Sequence, residues 1–231
     1  MEIEQTKADD LRPYGRRTFL GLVAGGLTSL VWGPAAWGIA RDVLLPVAGV
    51  LPPRLAGLVR SGWRIYSVTS IPAVNRSTWR LTIDGLVEQQ VELSYADLQA
   101  LPRVEQVSDF HCVTGWSVSG VRWTGVRFRD LLAAARPLPT AKALGFFSGD
   151  GAYSDSLTTE QADLAGAMLA YEMNGEPLTR PHGAPARLVI PEMYGYKGVK
   201  WVNKITLLDQ PFDGYWENRG YDRNAFIDHR V

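Results

Sequence analysis

The 231-residue sequence predicts an α+β domain built on mixed sheets, preceded by an N-terminal segment of different character. Two observations carry that fold class. Short runs of alternating apolar and polar residues end at turn residues, the signature of half-buried strands. Between them the helical stretches are brief and do not alternate regularly with the strands, which argues against a doubly wound parallel sheet. Neither a GxGxxG nor a Walker loop occurs, so neither a dinucleotide nor a nucleoside triphosphate site is indicated.

Taken in order, the chain divides into residues 1–45, a signal or anchor, then a linker, 46–62, and one domain, 63–231. In "YGRRTFLGLVAGGLTSLVWGPAAWGIARD", Arg16 and Arg17 precede an apolar run from Thr18 to Ala40. As a helix that run would be roughly 35 Å long, at about 1.5 Å per residue. The "RRTFL" start resembles twin-arginine export signals, which serve proteins that cross the membrane already folded. No small-x-small cleavage site stands out, so the segment is expected to remain as a membrane anchor. Pro46, Pro52 and Pro53 break any second span and make the next stretch a linker.

Within the domain, "TWRLTIDG" reads as a strand ending at the turn pair Asp84-Gly85. "SYADLQALP" is a short helix, capped by Ser94 and stopped by Pro102. "VEQVSDFHCV" is a strand arriving at Cys112, and "GVRFRDLLAAARP" a helix bounded by Gly125 and Pro137. "KALGFFSGDG" is a strand running into a turn, "TTEQADL" opens a helix, and "AMLAYEMNGEPL" is a strand and turn. "ARLVIPEMYGYKGVKWVNKITLLD" places two strands around a glycine-rich basic loop.

The 24 basic and 24 acidic residues balance, which removes a global nucleic-acid surface from consideration. A single cysteine excludes an intrachain disulfide and Cys-rich metal sites, and His111, His182 and His229 are too scattered for a paired ligand motif. Cys112 therefore has three readings: a small buried hydrophobe, a nucleophile activated by histidine, or a thiolate ligand to a soft metal. His111 is badly placed as its base, because adjacent side chains of a strand point to opposite faces. Further on, His182, Arg187, Lys197 and Lys200 cluster with the amides of Gly198 and Val199, a set suited to binding an anion.

The segment "HCVTGWSVSGVRWTGVRFRDLL" resembles the part of the sulfite oxidase family in which one cysteine binds molybdenum. The likeness includes a Trp-x-Gly turn, here Trp123 and Gly125, followed by an apolar helix. It continues in order through "AYEMNGEPL", "PHGAPARLVIPEMYGYKGVKWV" and "YWENRGYD", and is greatest to the exported methionine-sulfoxide reductase catalytic subunits. The resemblance implies a molybdopterin cofactor, with Cys112 as metal ligand. His182, Arg187, Gly198, Val199 and Lys200 would contact the cofactor, as would Trp63, Tyr66, Ser67 and Ser148. Tyr221 would stand near the oxygen ligand of the metal as a catalytic phenol. Where sulfite oxidases carry a substrate-binding arginine, this chain has Val68. Arg64 and Arg219 are the basic residues that could replace that charge in space.

The function expected is two-electron oxygen-atom transfer, with reduction of an S- or N-oxide such as methionine sulfoxide ahead of sulfite oxidation. The non-enzyme alternative is a membrane-anchored binding domain that lost its metal. No second redox centre is visible in the sequence, so a membrane haem or quinone protein is the expected electron partner. The chain is expected to be a monomer on the outer side of the membrane.

Overall fold

Ten strands and three short helices lie within residues 62–227, the part of the chain described by the computed structural model. The expected signal or anchor and nearly all of the linker fall outside those residues, as does His229. Among the described residues no helix is long and apolar enough to cross a membrane.

One five-stranded sheet is mixed. β1 (Arg80–Gly85) pairs antiparallel with β2 (Val91–Ser94) and parallel with β10 (Val202–Leu208). β5 (Ala143–Ser148) and β6 (Ser154–Thr158) extend it antiparallel on the other side of β10, giving the order β2-β1-β10-β5-β6. The alternation in "RLTIDG" has the predicted cause: Leu81 and Ile83 are fully buried while Arg80 is exposed.

The other sheet is antiparallel. β3 (Arg103–Cys112) forms a long hairpin with β4 (Trp116–Val126), and β4 pairs on with β7 (Met168–Met173). β7 also pairs with β8 (Glu176–Pro177) and β9 (Arg187–Val189). The two sheets share a core, in which Leu81, Phe146 and Ile205 join Val126, Leu169 and Leu188.

The three helices stand where the sequence suggested but are shorter. α1 (Tyr95–Ala100) has the expected Ser94 cap, completed by a reciprocal bond from the Ser94 N–H to the Asp97 carboxylate. α3 (Thr159–Ala162) is a single turn with a capping box of its own, between Thr158 and Gln161. The helix expected across 125–137 is corrected. β4 continues through Val126, and only α2 (Phe128–Leu132) is helical. Pairing on both edges, with β3 and β7, holds this stretch as strand beyond Gly125. The Trp-x-Gly motif therefore lies within a strand. Its glycine serves close approach, because a β-carbon on Gly125 would stand 2.2 Å from Leu169 O.

Candidate active site

β3 delivers Cys112 to the start of a tight turn in which Gly115 has φ +84° and donates its N–H to Cys112 O at 3.0 Å. The thiol is half-buried and lies 3.2 Å from Thr114 Oγ1. His111 points elsewhere, its Nδ1 bonded to Ser117 Oγ at 2.8 Å, so it is no base for Cys112. Cys112 opens into a cleft of about 450 Å³.

That cleft brings together nearly all the residues singled out in the sequence. Trp63, Tyr66, Ser67, Val68, Cys112, Ser148, His182, Arg187, Gly198, Lys200 and Tyr221 all line it. Val199 does not; it is fully buried in the core behind the loop.

The stretch from Trp63 to Val68 has no sheet partner and is held by side chains. Lys200 Nζ donates to Tyr66 O at 2.6 Å, and Trp63 packs edge-on against His182 with centroids 4.9 Å apart. The Phe110 ring also meets Trp63, with centroids 4.8 Å apart. At the end of β5, Ser148 Oγ accepts the Asp150 N–H at 3.2 Å. Tyr221 is held by ring contacts with Tyr196 and Trp216.

The positive groups are arranged differently from the sequence expectation. Arg187, on β9, is buried with 4% exposure, and its guanidinium lies over the rings of Trp123 and Phe110 at 5.3 and 5.6 Å. Its Nη1 donates to His182 O at 3.2 Å, but its Nε has no partner and no carboxylate faces it among the described residues. Burial alone lowers its pKa to about 10. Lys200 is lowered to about 8 by burial and by Arg187. His182 falls to about 4, through burial first and then Arg187 and Lys200, so it is neutral at pH 7.

Three donors proposed from sequence are already engaged. The Gly198 and Val199 amides donate to Gly195 O and Lys197 O within the turn. Lys197 turns away from the cleft and is buried against Asp155 and Glu217. Asp155 and Glu217 had no local signal, since they stand 42 and 20 positions from Lys197. Two further side chains complete the surroundings. Trp201 has φ +53°, a rare conformation for an aromatic residue, with its ring beneath Lys200 Nζ at 4.4 Å. Arg219 is stacked on Tyr215 at 3.6 Å and does not line the cleft, whereas Arg64 does.

These residues fit a molybdopterin. A thiol faces the cleft, and a buried cation lacks an anion. The Trp116 indole N–H, also in the lining residues, has no acceptor. No cluster of three His, Cys, Asp or Glu side chains among the described residues could hold a metal by itself. A metal here must bring most of its own ligands.

Fold and cleft together define a molybdopterin-binding oxidoreductase, and the comparisons agree: residues 68–216 match the family described as "Oxidoreductase molybdopterin binding domain". The chain belongs to this sulfite oxidase family and is a molybdenum-dependent oxidoreductase. It is 34% identical to the uncharacterized oxidoreductase YuiH of Bacillus subtilis, over 75% of this chain and 87% of that protein. The putative protein-methionine-sulfoxide reductase subunit YedZ1 of Azospira oryzae is 32% identical, over 68% of this chain and 59% of that one. Human mitochondrial sulfite oxidase is also 32% identical, but this chain covers 65% of itself and only 33% of that enzyme. The sulfane dehydrogenase SoxCD of Paracoccus pantotrophus shares the fold, with a TM-score of 0.58 and 24% identity over 70% of this chain and 54% of that one.

Proposed function

We propose that this chain reduces a neutral S- or N-oxide, such as methionine sulfoxide, by two-electron oxygen-atom transfer. The observation that carries the reading is Val68, a half-buried apolar side chain in the cleft wall where sulfite oxidases place an arginine. Sulfite is a dianion and gives up hydration on entering a cleft, so it needs compensating positive charge. A missing arginine removes a contact worth roughly 1.5–3 kcal/mol, or about one to two powers of ten in binding. A neutral oxide needs only a hydrogen-bond donor at its oxygen.

When bound, molybdopterin supplies the metal, its dithiolene sulfurs and the two-electron chemistry. The chain's residues hold and complete it. Cys112 Sγ is the protein's ligand to the metal. Arg187 and Lys200 receive the cofactor's phosphate, with neutral His182 and Gly198 beside them. Trp63, Tyr66, Ser67 and Ser148 enclose the pterin. The phenol of Tyr221 orients the oxide oxygen and passes a proton toward it. Each turnover converts the oxide, two electrons and two protons into the reduced compound and water.

The electrons come from a membrane haem or quinone protein in this reading. In the same reading residues 1–45 are an export signal kept as a tether, with the domain outside the cytoplasmic membrane. Retention of folded protein inside the cell by an Arg16→Lys/Arg17→Lys variant tests that placement; unchanged location refutes it.

Sulfite oxidation is the second reading, favoured by Arg64 in the cleft lining. Reduced-dye assays on molybdenum-loaded protein separate the two. Faster turnover of methionine sulfoxide or trimethylamine N-oxide than of sulfite supports oxide reduction. Efficient sulfite oxidation at low concentration, without oxide reduction, overturns it.

A further inference from the structure

Lys197 sits in a buried cluster whose charges do not cancel. Its ammonium touches Asp155 Oδ1 and lies 2.8 Å from Glu217 Oε1, and all three side chains are at most 2% exposed. The second oxygens, Asp155 Oδ2 and Glu217 Oε2, have no partner. Two ionised carboxylates against one ammonium would leave a net negative charge in the interior, an arrangement proteins avoid by binding a proton.

Each member of the cluster is a near neighbour in sequence of an aromatic residue in the cleft wall. Asp155 follows Tyr153 by two residues on β6, Lys197 follows Tyr196, and Glu217 follows Trp216. Those three rings form one continuous series with Tyr215 and Tyr221. Tyr153 stacks on Tyr215 at 5.5 Å, Tyr215 meets Trp216 at 5.2 Å, Trp216 meets Tyr221 at 5.0 Å, and Tyr221 meets Tyr196 at 5.2 Å. All five line the cleft. Backbone contacts tie the same segments: the Tyr153 hydroxyl donates to Tyr196 O, and Tyr215 N–H donates to Ser154 O at 3.0 Å. The C-terminal segment reaches β6 closely because residue 214 is glycine, where a β-carbon would stand 2.6 Å from Ser154 O.

Resting on the oxide-reduction reading of the cleft, we propose that Asp155, Lys197 and Glu217 are positioning residues for the aromatic wall that carries Tyr221, and that a proton on Asp155 balances their charge. With that proton the cluster is neutral, and the strand, the 195–197 turn and the 217–219 turn are drawn to one point. Burial raises Asp155 to about 7 against the opposing pull of Lys197, with Glu217 adding to the rise. The other groups facing the cluster are the phenols of Tyr153 and Tyr196, both raised by burial and by these carboxylates, so neither supplies a proton near neutrality. Above about pH 7 the Asp155 proton leaves, the cluster becomes anionic, and the wall loosens.

Two variants of the molybdenum-loaded chain test this. Lys197→Met leaves the carboxyls without their cation. The expected result is unchanged molybdenum per chain, an altered near-ultraviolet circular dichroism, and a kcat/KM for methionine sulfoxide lowered roughly ten- to hundredfold, with KM raised and kcat reduced. Glu217→Gln leaves one neutral ion pair and no surplus carboxyl. Its KM is expected to stay flat from pH 6 to 8, where that of the unaltered protein rises. Wild-type KM and near-ultraviolet spectrum in folded Lys197→Met, or an unaltered KM profile in Glu217→Gln, overturn the proposal. If Lys197→Met does not fold, the Glu217→Gln profile decides. If the chain turns over no oxide at all, the oxide reading has failed, and the near-ultraviolet spectra of the two variants still decide the positioning role.

Discussion

Gly198 leaves the space that Arg187 fills: a β-carbon at 198 would stand 3.1 Å from Arg187 Nη2, with Leu188 O at 3.1 Å and Gly195 O at 3.2 Å around it. Two of those neighbours are backbone, so the guanidinium is the group that must yield. Gly198→Ala is therefore expected to fold with a modest loss of thermal stability and a severalfold lower retention of molybdopterin. Molybdenum per chain after gel filtration, compared with the unaltered protein, measures it; full retention refutes the role given to this contact.

Arg187 is a buried cation without an anion, so its replacement separates stability from binding. In cofactor-free protein, Arg187→Met removes a desolvation cost and fills similar space, and the melting temperature is expected to hold or rise. Cofactor binding is expected to weaken by about one to two powers of ten, the worth of a charge-assisted contact. Calorimetry on the empty protein and a cofactor titration give the two numbers. A large fall in melting temperature would mean that Arg187 is structural.

His182 gives the empty protein a pH signature. Its pKa is depressed to about 4, against an ordinary 6.5. The folded state thus disfavours the imidazolium, and the unfolded chain binds the extra proton between those values. This contribution to stability is complete above about pH 6.5 and is lost as pH falls toward 4. Thermal melts of cofactor-free protein across that window are expected to show the decline, and His182→Asn to flatten it. Inorganic phosphate bound at Arg187 and Lys200 would offset their repulsion, so the His182 resonance in a proton NMR titration should move to higher pH on adding it.

Cys112→Ser exchanges a soft, ionisable ligand for a hard, weakly acidic one. The thiol is half-buried, with the Thr114 hydroxyl as its polar neighbour, so stability is expected to change by about 0.5 kcal/mol or less. Oxygen-atom transfer is expected to be lost while pterin is retained. A fully active serine variant would remove Cys112 from the metal.

Parts of the cleft were legible in the sequence because their signals are local. Cys112 lies beside a turn glycine, and Arg187, Gly198 and Lys200 lie on strands and turns that "PARLVIP" and "YKGVKW" announce. What escaped depends on distant pairing. β6 reads "SDSLT", polar enough to pass for a loop, yet Asp155 and Ser156 are buried because Lys197 and the Phe212 backbone meet them there. Lys197 looked like an anion donor for the same reason, since nothing near it in sequence reveals two carboxylates. The helix expected after Gly125 forms late and short, from Phe128 to Leu132, because strand partners on both sides hold Gly125 and Val126 extended.

The parallel pairing of β1 with β10 has a consequence for how the molecule is made. β10 is the last strand of the described chain, and it is the middle strand of its sheet. Until residues 202–208 have left the ribosome, β1 with β2 and β5 with β6 are two hairpins, each with a bare edge and nothing between them. Closing the sheet requires contacts across more than a hundred residues, such as Thr82 with Lys204, which are slow to form and cannot begin before β10 is free of the ribosome. Tyr221 emerges later still. The cleft therefore does not exist in a nascent chain that has not yet released Tyr221, and loading with cofactor waits for the last segments of the domain.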